Sequence, residues 1–185
     1  MRRLALAAAA AVLAAPAAAE HLVAGSKRFT ESYILGEILR ETAARAGAQA
    51  GHKPGLGNTG IVFAALKAGA IDVYPEYTGT ITREILRLEG SPTLAEIDRR
   101  LAPMGFGAGV PLGFNNTYAL AMREAQAAKL GIRTLSDLAR HPALRLGLSQ
   151  EFIGRADGWP GLRRLYGLPY ETPSGLDHGL AYEAI

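Results

Sequence analysis

Cysteine is absent from the 185 residues. That excludes a disulfide framework, a thiolate nucleophile, an iron–sulfur cluster, cysteine-ligated zinc and lipid attachment at a mature N-terminal cysteine. Aromatic residues make up only 7% and charged residues 20%, against 49% hydrophobic, a balance that fits a globular chain and excludes a disordered or fibrous one. Beyond the first 19 residues no run is apolar enough to cross a bilayer, which takes about 20 residues. The four histidines, His21, His52, His141 and His178, have no metal-binding spacing. Neither G-x-S-x-G nor H-E-x-x-H occurs, and no paired carboxylates stand out as acid and base. No catalytic residue, metal or cofactor is therefore expected.

The N-terminus carries the first positive signal. Met1-Arg2-Arg3 precedes an apolar run from Leu4 to Ala15, then Pro16 and Ala17-Ala18-Ala19 before Glu20. This is the pattern of a cleavable export signal over residues 1–19. Cleavage after Ala19 would leave a soluble periplasmic chain of 166 residues. Losing Arg2 and Arg3 lowers the formal charge from +3 to +1, too small for a nucleic-acid footprint despite the pI of 9.3.

Strands and helices alternate through the rest. A short strand is expected at residues 21–25, then a helix over 31–45 with Thr30 as N-cap and Ile34, Leu35, Ile38 and Leu39 at helical spacing. Further helices are expected at 60–68, 80–88 and 93–102, the last with a Thr93/Glu96 capping box, and a strand at 71–74. Residues 104–111 are dense in Gly and Pro and mark a crossover, which places a first lobe at 20–110 and a second at 111–185. The second lobe should hold strands at 117–122 and 144–148. Helices are expected at 124–130, 136–140 and 160–166, the last stopped by Gly167. A final helix starts near Leu176 and is cut at Ile185, so the chain is expected to be truncated.

Gly55-Leu56-Gly57-Asn58-Thr59-Gly60 satisfies the dinucleotide pattern G-x-G-x-x-G, but that fingerprint follows a strand. Gln49 to Pro54 has neither β-branched residues nor alternation, so a turn offering backbone amides at a helix N-terminus is the preferred reading. A stronger pattern is Ile71-Asp72-Val73-Tyr74-Pro75-Glu76-Tyr77-Thr78-Gly79-Thr80. Together with Gly25-Ser26-Lys27-Arg28-Phe29-Thr30-Glu31, Phe114-Asn115-Asn116-Thr117-Tyr118-Ala119-Leu120 and Arg155-Ala156-Asp157-Gly158-Trp159, it resembles the substrate-binding proteins for glycine betaine, choline and related osmoprotectants that feed ABC importers.

The resemblance implies an α/β type II periplasmic binding protein fold, with two lobes, a hinge and an interlobe cleft. Members of that family run on for roughly a hundred residues more. It also implies a ligand site. Tyr77 and Tyr118 would wall an aromatic cage, while Lys27, Thr80 and Arg155 would hold a carboxylate. The chemistry suits the ligand class, because a quaternary ammonium has no N–H to donate and is held through aromatic faces, whereas arginine grips a carboxylate in two-point fashion. Lys27, Tyr77 and Thr80 precede the crossover and Tyr118 and Arg155 follow it, so one ligand would draw the lobes together for recognition by an inner-membrane permease. Asp72 and Glu76 would orient neighbours or cap a turn and are given no ligand role, and a surface ion pair with Asp157 competes for Arg155. The expected protein is a monomer with a small quaternary-ammonium ligand and no enzymatic activity; a periplasmic hydrolase is the alternative.

Overall fold

The computed structural model describes residues 21–171 and 173–185; the expected signal 1–19 and its cleavage site after Ala19 lie outside the described residues. Strand β1 (His21–Gly25) leads through helix α1 (Thr30–Arg45) to strand β2 (Gln49–Lys53). The strands pair in parallel, from His21 opposite Gln49 to Gly25 opposite Lys53. A parallel pair needs a crossover of a dozen or more residues, and the 16-residue α1 supplies it. The second edge of β1 meets the chain again at Val73, which bridges Ala24. There Gly25 N–H donates to the Val73 carbonyl and Asp72 N–H to that of Val23, both at 2.8 Å. The Asp72 carboxylate accepts the Val23 N–H at 2.6 Å and so stands in for a ladder carbonyl. The strand expected at 71–74 shrinks to this one bridge.

β2 corrects the expectation that residues 49–54 form no strand. Strand preference measures fit to a pleated, half-buried surface, and here pairing with β1 and cover by α1 override a composition without β-branched residues. α1 also turns differently from what its apolar stripe suggests. Ile34 and Ile38 are exposed, and Ser32 and Gly36 are the buried positions. A Cβ on Gly36 would collide with the His52 ring, so the missing side chain is what lets helix and strand approach. Thr30 is the first helical residue and Phe29 the N-cap, which makes no side-chain capping bond, one position from the expected boundary.

Helix α2 (Thr59–Lys67) is followed by a short helix α3 (Thr78–Thr80) that widens into a π-helical turn (Ile81–Ile85), and then by α4 (Leu94–Leu101). The Thr93/Glu96 capping box forms as expected. Val62, Ile71, Ile97 and Leu101 are buried with Ala24 beneath this part of the chain. Gly105 adopts φ of 82° after α4 and a short 3-10 turn, and no helix or strand occurs between 105 and 123. The strand expected at 117–122 is therefore absent. Among the described residues no neighbouring strand offers it a ladder; instead Leu120 rests against the second core.

The second part of the chain contains α5 (Glu124–Leu130), a 3-10 turn (Leu135–Arg140), β3 (Gly147–Ser149), α6 (Gln150–Gly154), α7 (Trp159–Tyr166), β4 (Ser174–Leu176) and α8 (His178–Ala184). β3 and β4 pair in parallel. Leu138, Leu148, Phe152, Trp159, Leu168 and Tyr170 form its core, and the Tyr170 hydroxyl reaches the carbonyl oxygens of Leu138 and His141, each at 2.9 Å. Gly167 stops α7 in the left-handed region at φ of 60°.

One glycine in this half is required by backbone alone. A Cβ on Gly158 would strike the Phe152 carbonyl oxygen, and the Arg155 Cβ would lie 3.1 Å away. A carbonyl cannot rotate aside as a side-chain tip can. Gly158→Ala should therefore cost roughly 1–3 kcal/mol of stability, read as a lower urea midpoint of the full-length protein. An unchanged midpoint would show that the Arg155–Gly158 turn has slack.

Candidate ligand-binding site

β1 sends the chain directly into the site. Ser26 and Lys27 follow its carboxyl end, the place where parallel α/β sheets bind ligands, and Lys27 is only 2% exposed. Its backbone N–H donates to Ser32 Oγ at 2.8 Å. Its ammonium donates to Glu76 Oε1 at 2.6 Å and to Thr59 Oγ1 at 3.0 Å. Glu76 Oε1 also accepts the Tyr77 N–H at 2.8 Å, while Oε2 is buried with no partner among the described residues. Burial pushes the Glu76 carboxyl above its ordinary range, and the Lys27 charge pulls it back only in part. Glu76 orients Lys27 and the Tyr77 amide.

An aromatic pair lies over this ammonium. Lys27 Nζ stands 5.2 Å from the Tyr77 ring centre and 5.9 Å from that of Phe29, and the two rings stack at 6.3 Å. The Tyr77 hydroxyl donates to Glu31 Oε1 at 2.6 Å. Asn116 Nδ2 donates both to Glu31 Oε2 at 2.9 Å and to the Tyr77 oxygen at 3.2 Å. Burial first, and Glu31 next, raise the Tyr77 hydroxyl above the ordinary phenol range. The ring is thus held neutral and at a set angle, by one residue of α1 and one of the irregular segment.

The second cluster centres on Arg155, 5% exposed, just beyond α6. Nε and Nη2 donate to the two Asp157 oxygens at 3.0 and 2.9 Å, and Nη1 donates to Thr80 Oγ1 at 3.1 Å. The Asp157 pair weighed in the sequence therefore exists, but around a buried guanidinium rather than on the surface. Desolvation works against the Arg155 charge, and the bond to Asp157, its charge and those of Tyr118 and Glu84 together outweigh it, so the guanidinium is held above its ordinary value. The guanidinium carbon lies 5.7 Å from the Tyr118 ring centre, and Phe152 packs against that ring at 4.7 Å. Tyr118 sits on extended backbone rather than in a strand. It is half-exposed, and burial followed by the Glu151 charge pushes its hydroxyl up to about 12.

Lys27, Tyr77, Thr80, Tyr118 and Arg155 all line one open cleft of about 3050 Å³, well above the roughly 300–1,000 Å³ of a closed small-molecule site. Within it they fall into two groups, Lys27 with Tyr77 and Thr80 with Tyr118 and Arg155. Phe29, Asn116 and Glu151 also line the cleft, and Glu31 and Thr59 hold its Tyr77 and Lys27 from behind, none of the five having been singled out from the sequence. Glu31 and Asn116 lay inside the diagnostic strings and Thr59 inside the glycine loop, whereas Glu151 had no signal.

The glycine loop itself needs correction. With β2 before it and α2 after it, it has the strand–turn–helix context thought to be missing. Two of its amides are turned inward: Leu56 N–H donates to the Ser26 carbonyl at 3.0 Å and Gly55 N–H to Ser26 Oγ at 3.3 Å, while Asn58 Oδ1 caps α2 by accepting the Ile61 N–H at 3.2 Å. These bonds tie the loop to Ser26 and cap α2. Among the described residues no group of His, Asp or Glu is arranged to hold a metal ion, and no helix is long and apolar enough to cross a membrane.

Comparison with known proteins adds a family. Residues 20–185 match the substrate binding domain of ABC-type glycine betaine transport system. The chain is 36% identical to the glycine-betaine-binding protein of Pseudomonas aeruginosa over 201 residues, covering 100% of this chain and 64% of that protein. It is 32% identical to the ergothioneine transport permease/ergothioneine binding protein EgtU of Helicobacter pylori, covering 88% of this chain and 30% of that one. The solved structure of a glycine betaine/carnitine/choline ABC transporter superposes with a TM-score of 0.58 at 24% identity, covering 90% of this chain and 64% of its own. The chain thus spans less than two thirds of the length of these relatives. Its architecture is that of the two-lobed α/β substrate-binding proteins.

Removing either partner of the buried Lys27–Glu76 pair leaves a charge without compensation, which costs about 3–5 kcal/mol. Lys27→Met and Glu76→Gln should each lose stability on that scale in urea unfolding of the full-length protein. The double variant should lose clearly less than the two losses combined, whereas simple additivity would show that the pair is not coupled.

Proposed function

Because the chain belongs to the substrate-binding domains of ABC-type glycine betaine transport systems, we propose that it captures a small quaternary-ammonium osmolyte outside the cytoplasm and delivers it to an inner-membrane permease. In this reading residues 1–19 direct export, residues 20–110 and 111–185 contribute to opposite lobes, and the protein works as a periplasmic monomer that returns its ligand unchanged. The hydrolase alternative finds no support in the family or its relatives.

The observation that carries the proposal is an ammonium already resting on aromatic faces in the cleft, Lys27 Nζ at 5.2 Å from Tyr77 and 5.9 Å from Phe29. That distance is within the roughly 6 Å at which a ring quadrupole attracts a cation. Glu76 neutralises Lys27, so a second cation can approach Tyr77 without facing an uncompensated charge. Lys27 has three donors, two of them taken by Glu76 and Thr59, which leaves one for a ligand carboxylate. Arg155 is more constrained than a free two-point clamp. Asp157 takes its Nε–Nη2 edge, so a carboxylate would use the remaining donors at the Nη end, beside Thr80.

Glycine betaine is the leading ligand, since it presents both a trimethylated cation and a carboxylate; choline shares only the first. Tyr77→Ala should weaken both ligands by about 2- to 30-fold, the scale of one cation–π contact. Arg155→Ala should weaken glycine betaine by roughly 10- to 150-fold, as expected for loss of a charged hydrogen bond, and choline far less. Calorimetry on the full-length protein reads both; equal losses for the two ligands refute the role given to Arg155, and absence of heat with any trimethylated amine refutes the function.

A further inference from the structure

Glu151, in the first turn of α6, brings to the cleft a carboxylate that the ligand scheme above leaves unused. Its Oε1 accepts the Thr59 hydroxyl at 2.9 Å across 92 residues of sequence, and Thr59 in turn accepts from Lys27 Nζ at 3.0 Å. The same Oε1 lies 4.0 Å from Arg155 Nη1. One carboxylate oxygen therefore stands between the two cations that a ligand carboxylate would seek. Helix capping does not explain this placement, because Ser149 already caps α6 by accepting the Phe152 N–H at 3.2 Å, and Glu151 reaches instead to the first residue of α2.

The charges around the cleft give the position its meaning. Lys27 has Glu76 at 2.6 Å, and Arg155 has Asp157 at 2.9 Å. Two carboxylates are surplus to these pairs, Glu84 at 3.9 Å from Arg155 Nε and Glu151 at 4.0 Å from Nη1, and of the two only Glu151 also bonds Thr59, the partner of Lys27. Its side chain is 21% exposed, so water screens it less than it would a surface group. Its influence on the surroundings follows: the Glu151 charge is among the causes that raise the Tyr74, Glu76 and Tyr118 hydroxyls and carboxyl above their ordinary values.

We propose that Glu151 is a specificity-determining residue: its carboxylate holds the ground between Lys27 and Arg155, opposes ligands that bring a carboxylate of their own, and shifts the cleft toward net-cationic trimethylammonium ligands such as choline. The inference rests on the quaternary-ammonium reading of the site. Arg155 and Glu151 then act in opposite senses on one ligand group, the first attracting the carboxylate and the second repelling it, while both leave the trimethylated head to the aromatic rings. Zwitterionic glycine betaine still binds, with a smaller advantage over choline than Lys27, Thr80 and Arg155 alone would confer.

Calorimetry of the full-length protein and its Glu151→Gln variant with glycine betaine and with choline tests the assignment. Glutamine keeps the length of the side chain and an oxygen for the Thr59 hydroxyl, so it removes the charge and little else. The ratio of glycine betaine to choline affinity should rise by about tenfold or more, the scale of one desolvated like-charge contact. Glu151→Ala, which also removes the bond to Thr59, should move the ratio in the same direction even if both ligands weaken. An unchanged ratio in Glu151→Gln, or a fall, overturns the role of Glu151 while the quaternary-ammonium reading stands. Wild-type protein that binds neither ligand sinks both the reading and the inference.

Discussion

The arrangement of the cleft depends on one buried ion pair. Lys27 leaves the carboxyl end of β1 into a space where it is almost wholly shielded, and Glu76 meets it there at 2.6 Å. Such a pair is weak evidence for stability, since desolvating two ions offsets much of their attraction. Its effect here is positional. Through the Tyr77 amide, Glu76 fixes the backbone that carries the ring, and through Thr59 the ammonium ties the start of α2 to the end of β1. A methionine at position 27 could fill the space, but it would anchor neither neighbour.

Around that pair, polar side-chain bonds gathered at the cleft join the two halves of the chain, beside one ring contact between Phe29 and His178 at 5.4 Å. Thr59 donates to Glu151, Arg155 to Thr80, and Asn116 to Glu31 and Tyr77. The apolar cluster of Leu138, Leu148, Phe152, Trp159, Leu168 and Tyr170 lies wholly in the second half, and Ala24, Val62, Ile71, Ile97 and Leu101 are buried in the first. Polar bonds of this kind are exchanged for bonds to a ligand more readily than buried apolar area is surrendered. Hinged proteins that close on small molecules use that difference. The wide turn after Thr80 belongs to the same logic, since π-type turns recur at functional sites, and this one leaves the Thr80 hydroxyl directed at Arg155.

Elements specified by local chemistry were legible in the sequence. The Thr93/Glu96 box, Gly167 behind α7 and the helical pattern at 124–130 each rest on neighbours within a few residues, and each formed where expected. β2, β4 and α6 were not legible, because three- to five-residue segments are stabilised by partners far along the chain rather than by their own preferences. α1 was read correctly as a helix and incorrectly as to face: its conspicuous Ile34 and Ile38 point outward, and the contact is made by the inconspicuous Ser32 and Gly36. The site divides in the same way. Lys27, Tyr77, Thr80, Tyr118 and Arg155 stand in recognisable strings, whereas Thr59 and Glu151, 92 positions apart, acquire meaning only when the chain between them folds and brings them within 2.9 Å.

β1 opens the described chain, yet it occupies the middle of its sheet, with β2 on one side and Val73 on the other. A central strand made first must wait for both neighbours to be synthesised. At about 5–20 residues per second, the stretch from Gly25 to Val73 takes a ribosome roughly 2 to 10 seconds. Throughout that interval the segment leading to Lys27 has no complete ladder to join. A nascent chain built in this order cannot complete its first ladder until about fifty residues past β1 have been made, later than one whose first strand closes a hairpin.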